Sequence, residues 1–125
     1  MGYPAITRML MEKGVDSVAV PANIRAEVLA ETGMLLFKEG RVEESGKAFG
    51  LAGNEKELFE AGDYLCRQGR FKDASYFYKW TRDEQRIRAC AHECMNAGHY
   101  EEAKILFAVL KDQNMLHFLN ENFGI

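Results

Sequence analysis

Apolar residues recur along this chain at spacings of four and then three, the spacing of one face of an α-helix. Within residues 54–82, Leu58, Gly62 and Leu65 follow this spacing, and it resumes after Gly69. A glycine at that point can adopt the left-handed conformation that ends a helix at little steric cost. The pattern therefore predicts two helices joined by a short turn.

The same pattern occurs three times, because Gly40, Gly69 and Gly98 are each 29 residues apart. A fixed period of roughly 20 to 50 residues is typical of stacked repeats. Three units align without a gap, and a fourth copy beginning at Asp112 contains one predicted helix. The units are 25–53, 54–82 and 83–111. The predicted helices are 25–38, 42–52, 55–68, 71–81, 84–97, 100–110 and 113–122.

Two sets of small residues recur inside the predicted helices. A glycine within a helix costs about 1 kcal/mol relative to alanine, so we interpret these positions as points of close approach between paired helices. The first set is Gly33, Gly62 and Ala91, and the second is Ser45, Ala74 and Ala103. Asn54, Asp83 and Asp112 stand where helices should begin, as capping residues. Trp80 is expected to pack between units.

Residues 1–24 fall outside the repeat register, and we interpret them as an N-terminal capping segment. Pro4 to Lys13 reads as one short helix that ends at Gly14. Terminal units of repeat proteins are usually atypical because they cover an exposed apolar face. The alternative is an apolar surface for self-association or for another subunit. That surface would consist of Ile6, Met9, Leu10 and Met11.

One unit carries, in order, the positions Gly62, Leu65, Gly69, Phe71, Lys72-Asp73, Ala74 and Tyr78. This order resembles the tetratricopeptide repeat, and the resemblance extends from Arg25 to about Phe123. The unit is about five residues shorter than the usual 34 and lacks the proline that ordinarily follows the second helix. The resemblance implies an all-α superhelix of antiparallel helical hairpins. Shortened hairpins also look like segments of the α-solenoids of transport coats.

In that family, the first helices line a concave groove that holds peptides or helices of partner proteins. The resemblance implies that a partner would contact Lys56, Phe59, Asp63, Arg67, Gln85, Arg88, His92 and Met95. The corresponding positions of the first unit are Glu27, Ala30, Met34 and Phe37, and Cys66 belongs to the second unit. Phe59 with Lys56, Arg67 and Arg88 around it would suit a peptide with a carboxylate and an apolar side chain. The alternatives are a merely solvated face, a self-associating scaffold subunit, or part of a longer solenoid.

The three cysteines and three histidines offer a weak metal-site signal. Cys90, His92 and Cys94 lie on one predicted helix, and His99 follows it. Structural zinc sites usually draw a second ligand pair from another element, and Cys66 and His117 are not expected to converge with this group. We therefore predict buried free thiols, without a metal or other cofactor.

The composition excludes several function classes. The chain has 125 residues, of which 47% are hydrophobic and 28% charged, with a formal net charge of −3. The chain has no block of basic residues of the kind that binds nucleic acid. It also has no apolar run near 18 residues of the kind that spans a membrane. No nucleophile motif or phosphate loop is present, so no catalytic residues are predicted. We expect a noncatalytic cytoplasmic protein with a protein or peptide partner.

Overall fold

The computed structural model describes residues 2–125, and this part of the chain forms eight α-helices and no strand. The helices are α1 (Pro4–Lys13), α2 (Ala22–Lys38), α3 (Val42–Ala52), α4 (Glu55–Arg67), α5 (Phe71–Tyr78), α6 (Glu84–Asn96), α7 (Tyr100–Val109) and α8 (Gln113–Phe123). The all-α prediction is confirmed, and the eight described helices are consistent with a helical repeat. Within residues 2–125, no helix combines the length and apolar character needed to cross a membrane.

The turn inside each unit has the conformation that its glycine predicts. Gly40, Gly69 and Gly98 have φ values of 79°, 72° and 84°. After each of them, the amide of the next residue bonds back across the end of the helix, as Arg70 N does to Leu65 O at 2.9 Å. This bond satisfies a carbonyl that the last helical turn leaves open. The first and second helices of each unit therefore fold back on each other as a hairpin.

Two helix ends differ from the sequence prediction by three residues, and the others agree to within one residue. Helix α2 begins at Ala22 rather than at residue 25, directly after Pro21, which occupies the N-cap position. Helix α5 ends at Tyr78 rather than at residue 81. The Thr81 hydroxyl donates to Tyr78 O at 2.7 Å, and the Thr81 amide bonds to the same oxygen at 2.9 Å. These bonds tighten the last turn and end the helix.

Two of the three predicted caps make a side-chain hydrogen bond. Asp83 accepts from the amide of Arg86 at 3.0 Å, and Asp112 accepts from the amide of Met115 at 3.1 Å. Asn54 occupies the cap position of α4 without such a bond. The capping prediction is thus right for α6 and α8, whereas the Asn54 side chain does not cap α4.

The small residues are buried, and they make room for aromatic side chains as well as for the backbone of the paired helix. Ser45, Ala74 and Ala103 are all 0% exposed, and the Ser45 hydroxyl donates to Gly33 O at 2.7 Å. A Cβ atom on Gly62 would overlap the ring of Tyr78, an aromatic residue on the paired helix. The interpretation from sequence was therefore incomplete, because these glycines also make room for an aromatic ring.

The second helices of the first two units, α3 and α5, pack closely against each other. At Gly46 in α3, a Cβ atom would overlap the carbonyl oxygen of Tyr76 in α5. The ring of Trp80 lies directly against Gly50 of the preceding unit, which confirms that Trp80 packs between units. The first helices α2, α4 and α6 lie farther apart from one another. The structure is consequently more open on the side of the first helices.

The core has two parts, and α1 covers the outer one. Leu10 is 0% exposed and packs with residues of α2 and α3, while Ile6 and Met11 are partly buried against the same cluster. Met9, by contrast, is 38% exposed. Three of the four residues named for an apolar N-terminal surface therefore contact the core of the chain itself. The main cluster extends from α3 to α8.

Candidate functional site

The exposed surface of α2, α4 and α6 is called the first-helix face here, and its main feature is a groove between α2 and α4. This α2–α4 groove has a volume of about 480 Å³. It is mostly apolar, and its lining residues are Met34, Phe37, Lys38, Phe49, Glu57, Glu60, Ala61 and Tyr64. Met34 is 52% exposed and Tyr64 is 44% exposed. Large apolar side chains in this concave groove are thus accessible to a ligand.

Aromatic contacts hold the inner side of the groove in place. The Phe37 ring packs edge-on against Tyr64, with centroids 6.3 Å apart, and against buried Phe77, with centroids 5.8 Å apart. Such edge-to-face pairs add roughly 0.5–1.5 kcal/mol beyond the area that they bury. The groove is therefore built on the core rather than on mobile surface side chains.

Two carboxylates, those of Glu57 and Glu60, line the α2–α4 groove. Lys56 approaches Glu60 with an Nζ to Oε1 distance of 3.9 Å, but both side chains are largely exposed. An exposed pair of this kind contributes little energy because water screens it. Both carboxylates consequently remain available to a cation brought by a partner.

The next interval, between α4 and α6, is closed by an ion-pair network that we call the α4–α6 seam. Arg86 donates from Nε to Asp63 Oδ1 at 2.9 Å and from Nη2 to Oδ2 at 3.0 Å. It also bonds Asp83 at 2.7 Å, and its guanidinium lies 4.3 Å from the centroid of the Phe59 ring. Tyr78 donates its hydroxyl to Asp63 Oδ1 at 2.5 Å. Phe59 and Asp63, expected on an open groove, therefore join two units.

This arrangement perturbs both charged partners. The hydrogen bonds from Arg86 hold the pKa of Asp63 below its usual value, against the opposing effect of burial. The bond to Asp63 likewise raises the pKa of Arg86. Both side chains favour the ionised form, so the pair stays charged at neutral pH.

The other predicted contact residues have varied surroundings. Gln85, Arg88 and His92 share a shallow second hollow of about 460 Å³ on α6, and Arg88 Nη1 lies 2.7 Å from Asp112 Oδ2. Lys56 and Arg67 are exposed on α4, whereas Met95 is partly buried against the main core. The structure therefore brings three predicted residues together in one hollow, and Phe59 does not line that hollow.

Replacing Arg86 with alanine should lower the free energy of unfolding by about 1–2 kcal/mol. The substitution removes the bidentate ion pair with Asp63, which is partly exposed, and the cation–π contact with the Phe59 ring. Because the pKa of Asp63 lies below its unfolded value near 3.9, the pair stabilises the fold above that pH. Its contribution is lost as the pH falls through the folded-state pKa. Urea denaturation at neutral and acidic pH measures both effects.

The control is Arg8→Ala, which removes an exposed arginine from α1. We expect this variant to stay within about 0.5 kcal/mol of the parent at neutral pH. The difference between Arg86→Ala and the parent should shrink below about pH 4. Equal stability of the two variants at neutral pH would show that the α4–α6 seam does not couple the units.

The cysteines are free thiols, and each makes a hydrogen bond within the chain. Cys90 and Cys94 are 2% and 0% exposed, as predicted for buried thiols, and Cys66 is partly buried. Within residues 2–125, no group of His, Cys, Asp and Glu side chains has the arrangement of a metal site. The Cys66 thiol donates to Tyr78 Oη at 3.5 Å, whereas the thiols of Cys90 and Cys94 both donate to the carbonyl oxygen of Phe71 at 3.4 Å.

Tyr64 is the main groove residue that the sequence did not reveal. Its counterparts in the other units are Leu35 and Glu93, so the repeat indicates no common role for this position. The sequence of α4 could have indicated it, because Glu57, Ala61 and Tyr64 follow the helical spacing. They form a second row beside the buried residues Leu58, Gly62 and Leu65. This second row of residues lines the α2–α4 groove.

Comparisons with known proteins leave the family open. No family model matches the chain, and no solved structure matches it. Glucoamylase-1 of Arthroderma benhamiae is 23% identical over 119 residues, an alignment that covers 95% of this chain. The alignment covers 19% of that protein, so the chain spans about a fifth of its length. The likeness is too low and too partial to show a common family.

Proposed function

We propose that this chain is a noncatalytic interaction module that binds a segment of a partner protein on its first-helix face. The observation that carries the proposal is the α2–α4 groove, an apolar hollow of about 480 Å³ beside exposed Met34 and Tyr64. Concave apolar sites with a few polar groups are the usual binding places on proteins. We further propose a tetratricopeptide-like superhelix in which this face is concave, and a cytoplasmic location.

The occupant that fits the groove is an amphipathic helical segment with basic residues. Its apolar side chains would enter between Phe37, Ala61 and Tyr64, as in other cases where a helix lies in a groove. Its lysine or arginine side chains would reach the carboxylates of Glu57 and Glu60. Charge complementarity of this kind directs both the choice and the orientation of a partner.

This partner differs from the carboxylate-bearing peptide expected from sequence. That expectation placed Lys56, Arg67 and Arg88 around an open Phe59. In the structure, Arg86 covers the Phe59 ring and Arg88 pairs with Asp112. Two anchors of an acidic peptide are thus engaged within the chain, whereas the apolar groove and its acidic side chains remain open.

Glucoamylase activity is not extended to this chain, because the likeness covers only 19% of that enzyme at 23% identity. The alternative of a self-associating scaffold or a longer solenoid stays a prediction. At the α8 end, Phe123 is 41% exposed, although its counterparts Leu36, Leu65 and Cys94 are each 0% exposed. Self-association or stacking of a further unit would therefore be tested by substitution at Phe123.

A random peptide library displayed on phage tests the proposed partner chemistry. Peptides selected on the parent protein should combine apolar residues at helical spacing with lysine or arginine. The double variant Glu57→Lys with Glu60→Lys should weaken their binding by about tenfold or more, equivalent to about 1.4 kcal/mol. Fluorescence anisotropy with labelled peptides measures this loss.

The control variant is Glu12→Lys with Glu101→Lys, which makes the same charge change at exposed positions on α1 and α7. It should retain binding, and circular dichroism should show that both variants keep the helical fold. Selection of acidic peptides, or equal losses in the two double variants, would contradict the proposed partner.

A further inference from the structure

The α2–α4 groove carries charges of both signs, and the two signs lie towards opposite ends of α4. Glu57 is in the first turn of α4, and Glu60 follows within the next turn. Lys38, the last residue of α2, also lines the groove. The binding of basic side chains by the two carboxylates, proposed above, leaves this lysine unused.

A ring contact shows which end of α4 lies beside Lys38. Phe37, the residue before Lys38, packs edge-on against Tyr64, with ring centroids 6.3 Å apart. On α4, Tyr64 follows Glu57 by about two helical turns, or about 10 Å along the helix axis. The basic end of the groove is therefore beside Tyr64, and the acidic end begins at Glu57.

Lys38 is accessible to a ligand. Its side chain is exposed, and among residues 2–125 no carboxylate forms an ion pair with it. The carboxylate of Glu39, its neighbour in sequence, accepts from Arg41 Nη1 at 3.4 Å instead. A partner that enters the groove therefore meets an unneutralised cation at this end.

This cation limits which charges a partner can carry. A helix with basic residues along its whole length would place one of them beside Lys38, where like charges repel. A helix with an acidic residue at that point would gain an ion pair. Specificity is the difference between two affinities, so the repulsion of the wrong charge contributes to it together with the attraction of the right one.

We propose that Lys38 is a specificity-determining residue of the α2–α4 groove, and that the partner is an amphipathic helix of mixed charge. Its basic residues lie towards Glu57, and an acidic residue about two helical turns away lies beside Lys38. Because Lys38 lines the same groove, this proposal rests on the proposed function. It adds that the partner binds in one orientation, since turning it end for end would bring like charges together at both ends.

The experiment repeats the selection from the random peptide library on three proteins, namely the parent, Lys38→Glu and Lys13→Glu. Lys13 is the matched control, because it is exposed and is the last residue of α1, as Lys38 is of α2. The same charge change is thus made at the end of a helix but outside the groove. Circular dichroism checks that both variants keep the helical fold.

The parent and Lys13→Glu should select apolar–basic peptides in which an acidic residue recurs about two helical turns from the lysine or arginine. Lys38→Glu should select a second basic residue at that point. Two synthetic peptides that differ only there, glutamate against lysine, quantify the effect by fluorescence anisotropy. The parent should bind the glutamate peptide about tenfold more tightly, and Lys38→Glu should prefer the lysine peptide.

A nitroxide label on the glutamate peptide tests the orientation separately. A label at the acidic end should broaden the nuclear magnetic resonance signals of Phe37 and Tyr64 more than that of Glu57. A label at the basic end should have the opposite effect. The same broadening from both labels would overturn the proposed orientation.

The outcomes distinguish this proposal from the proposed function. If all three proteins select the same peptides, or if the parent binds both synthetic peptides equally, Lys38 does not determine specificity. A shared preference for apolar–basic peptides would in that case still support the groove as the binding site. If the parent selects no apolar–basic peptides, the proposed function and the role of Lys38 are both wrong.

Discussion

Replacing Phe77 with alanine is expected to lower the free energy of unfolding by about 3–5 kcal/mol. Phe77 is 0% exposed in α5, and its ring contacts Phe37 beneath the α2–α4 groove. Deleting the ring leaves a cavity in the main core as well as losing buried apolar area. Domains of this size have a total stability of about 5–15 kcal/mol, so the variant should unfold at much lower urea concentration.

The control for this variant is Phe118→Ala, which removes a phenylalanine that is 44% exposed on α8. This change should cost less, because Phe118 is already 44% exposed and its removal loses less burial and leaves no enclosed cavity. Urea denaturation followed by circular dichroism compares the two. Equal midpoints would mean that α5 does not insert Phe77 into the core as described.

Replacing Gly46 with alanine should lower the free energy of unfolding by about 1–3 kcal/mol, the usual cost of overpacking. The helix itself would gain up to about 1 kcal/mol from the exchange of glycine for alanine. The clash outweighs this gain, because the atom in the way is the backbone carbonyl oxygen of Tyr76, which cannot rotate aside. Thermal and urea denaturation measure the net effect.

Lys104→Ala is the matched control, because Lys104 occupies the position on α7 that Gly46 occupies on α3. Lys104 is exposed, so alanine there should change stability by no more than about 0.5 kcal/mol. A stabilised Gly46→Ala variant would indicate that helix propensity prevails and that α3 and α5 do not approach closely.

Most helix boundaries could be predicted because each has a local signal. The helices before Gly40, Gly69 and Gly98 end where the sequence places them, to within one residue. The start of α2 was missed because the repeat register begins at Arg25, while the helix continues back to Pro21. Local hydrogen bonding at Thr81, rather than hydrophobic spacing, ends α5.

The contacts between units could not be predicted in the same way. The Asp63–Arg86 pair joins residues 23 apart, and Arg86 stands where the other units have Val28 and Glu57. A repeat alignment reveals what its units share, whereas this contact depends on one long side chain that only one unit carries. Phe59 was consequently expected on an open surface.

The cysteines illustrate the same limit. Cys90 and Cys94 were correctly predicted to be buried, since their counterparts in other units are apolar or small. The hydrogen bond from the Cys66 thiol to Tyr78 Oη depends on how closely α4 and α5 lie, and the spacing within one helix contains no information on that distance. The groove residue Tyr64 was missed for a similar reason, because a groove depends on the gap between two helices.

The most direct test of the proposed binding site is to map a selected peptide by nuclear magnetic resonance. Amide and methyl signals of isotopically labelled protein are followed while the apolar–basic peptide from the library is added. We predict that the largest shifts cluster at Met34, Phe37, Ala61 and Tyr64, with smaller changes at Glu57 and Glu60. Shifts concentrated on α7 and α8, or on the second helices, would contradict the assignment of the α2–α4 groove as the binding site.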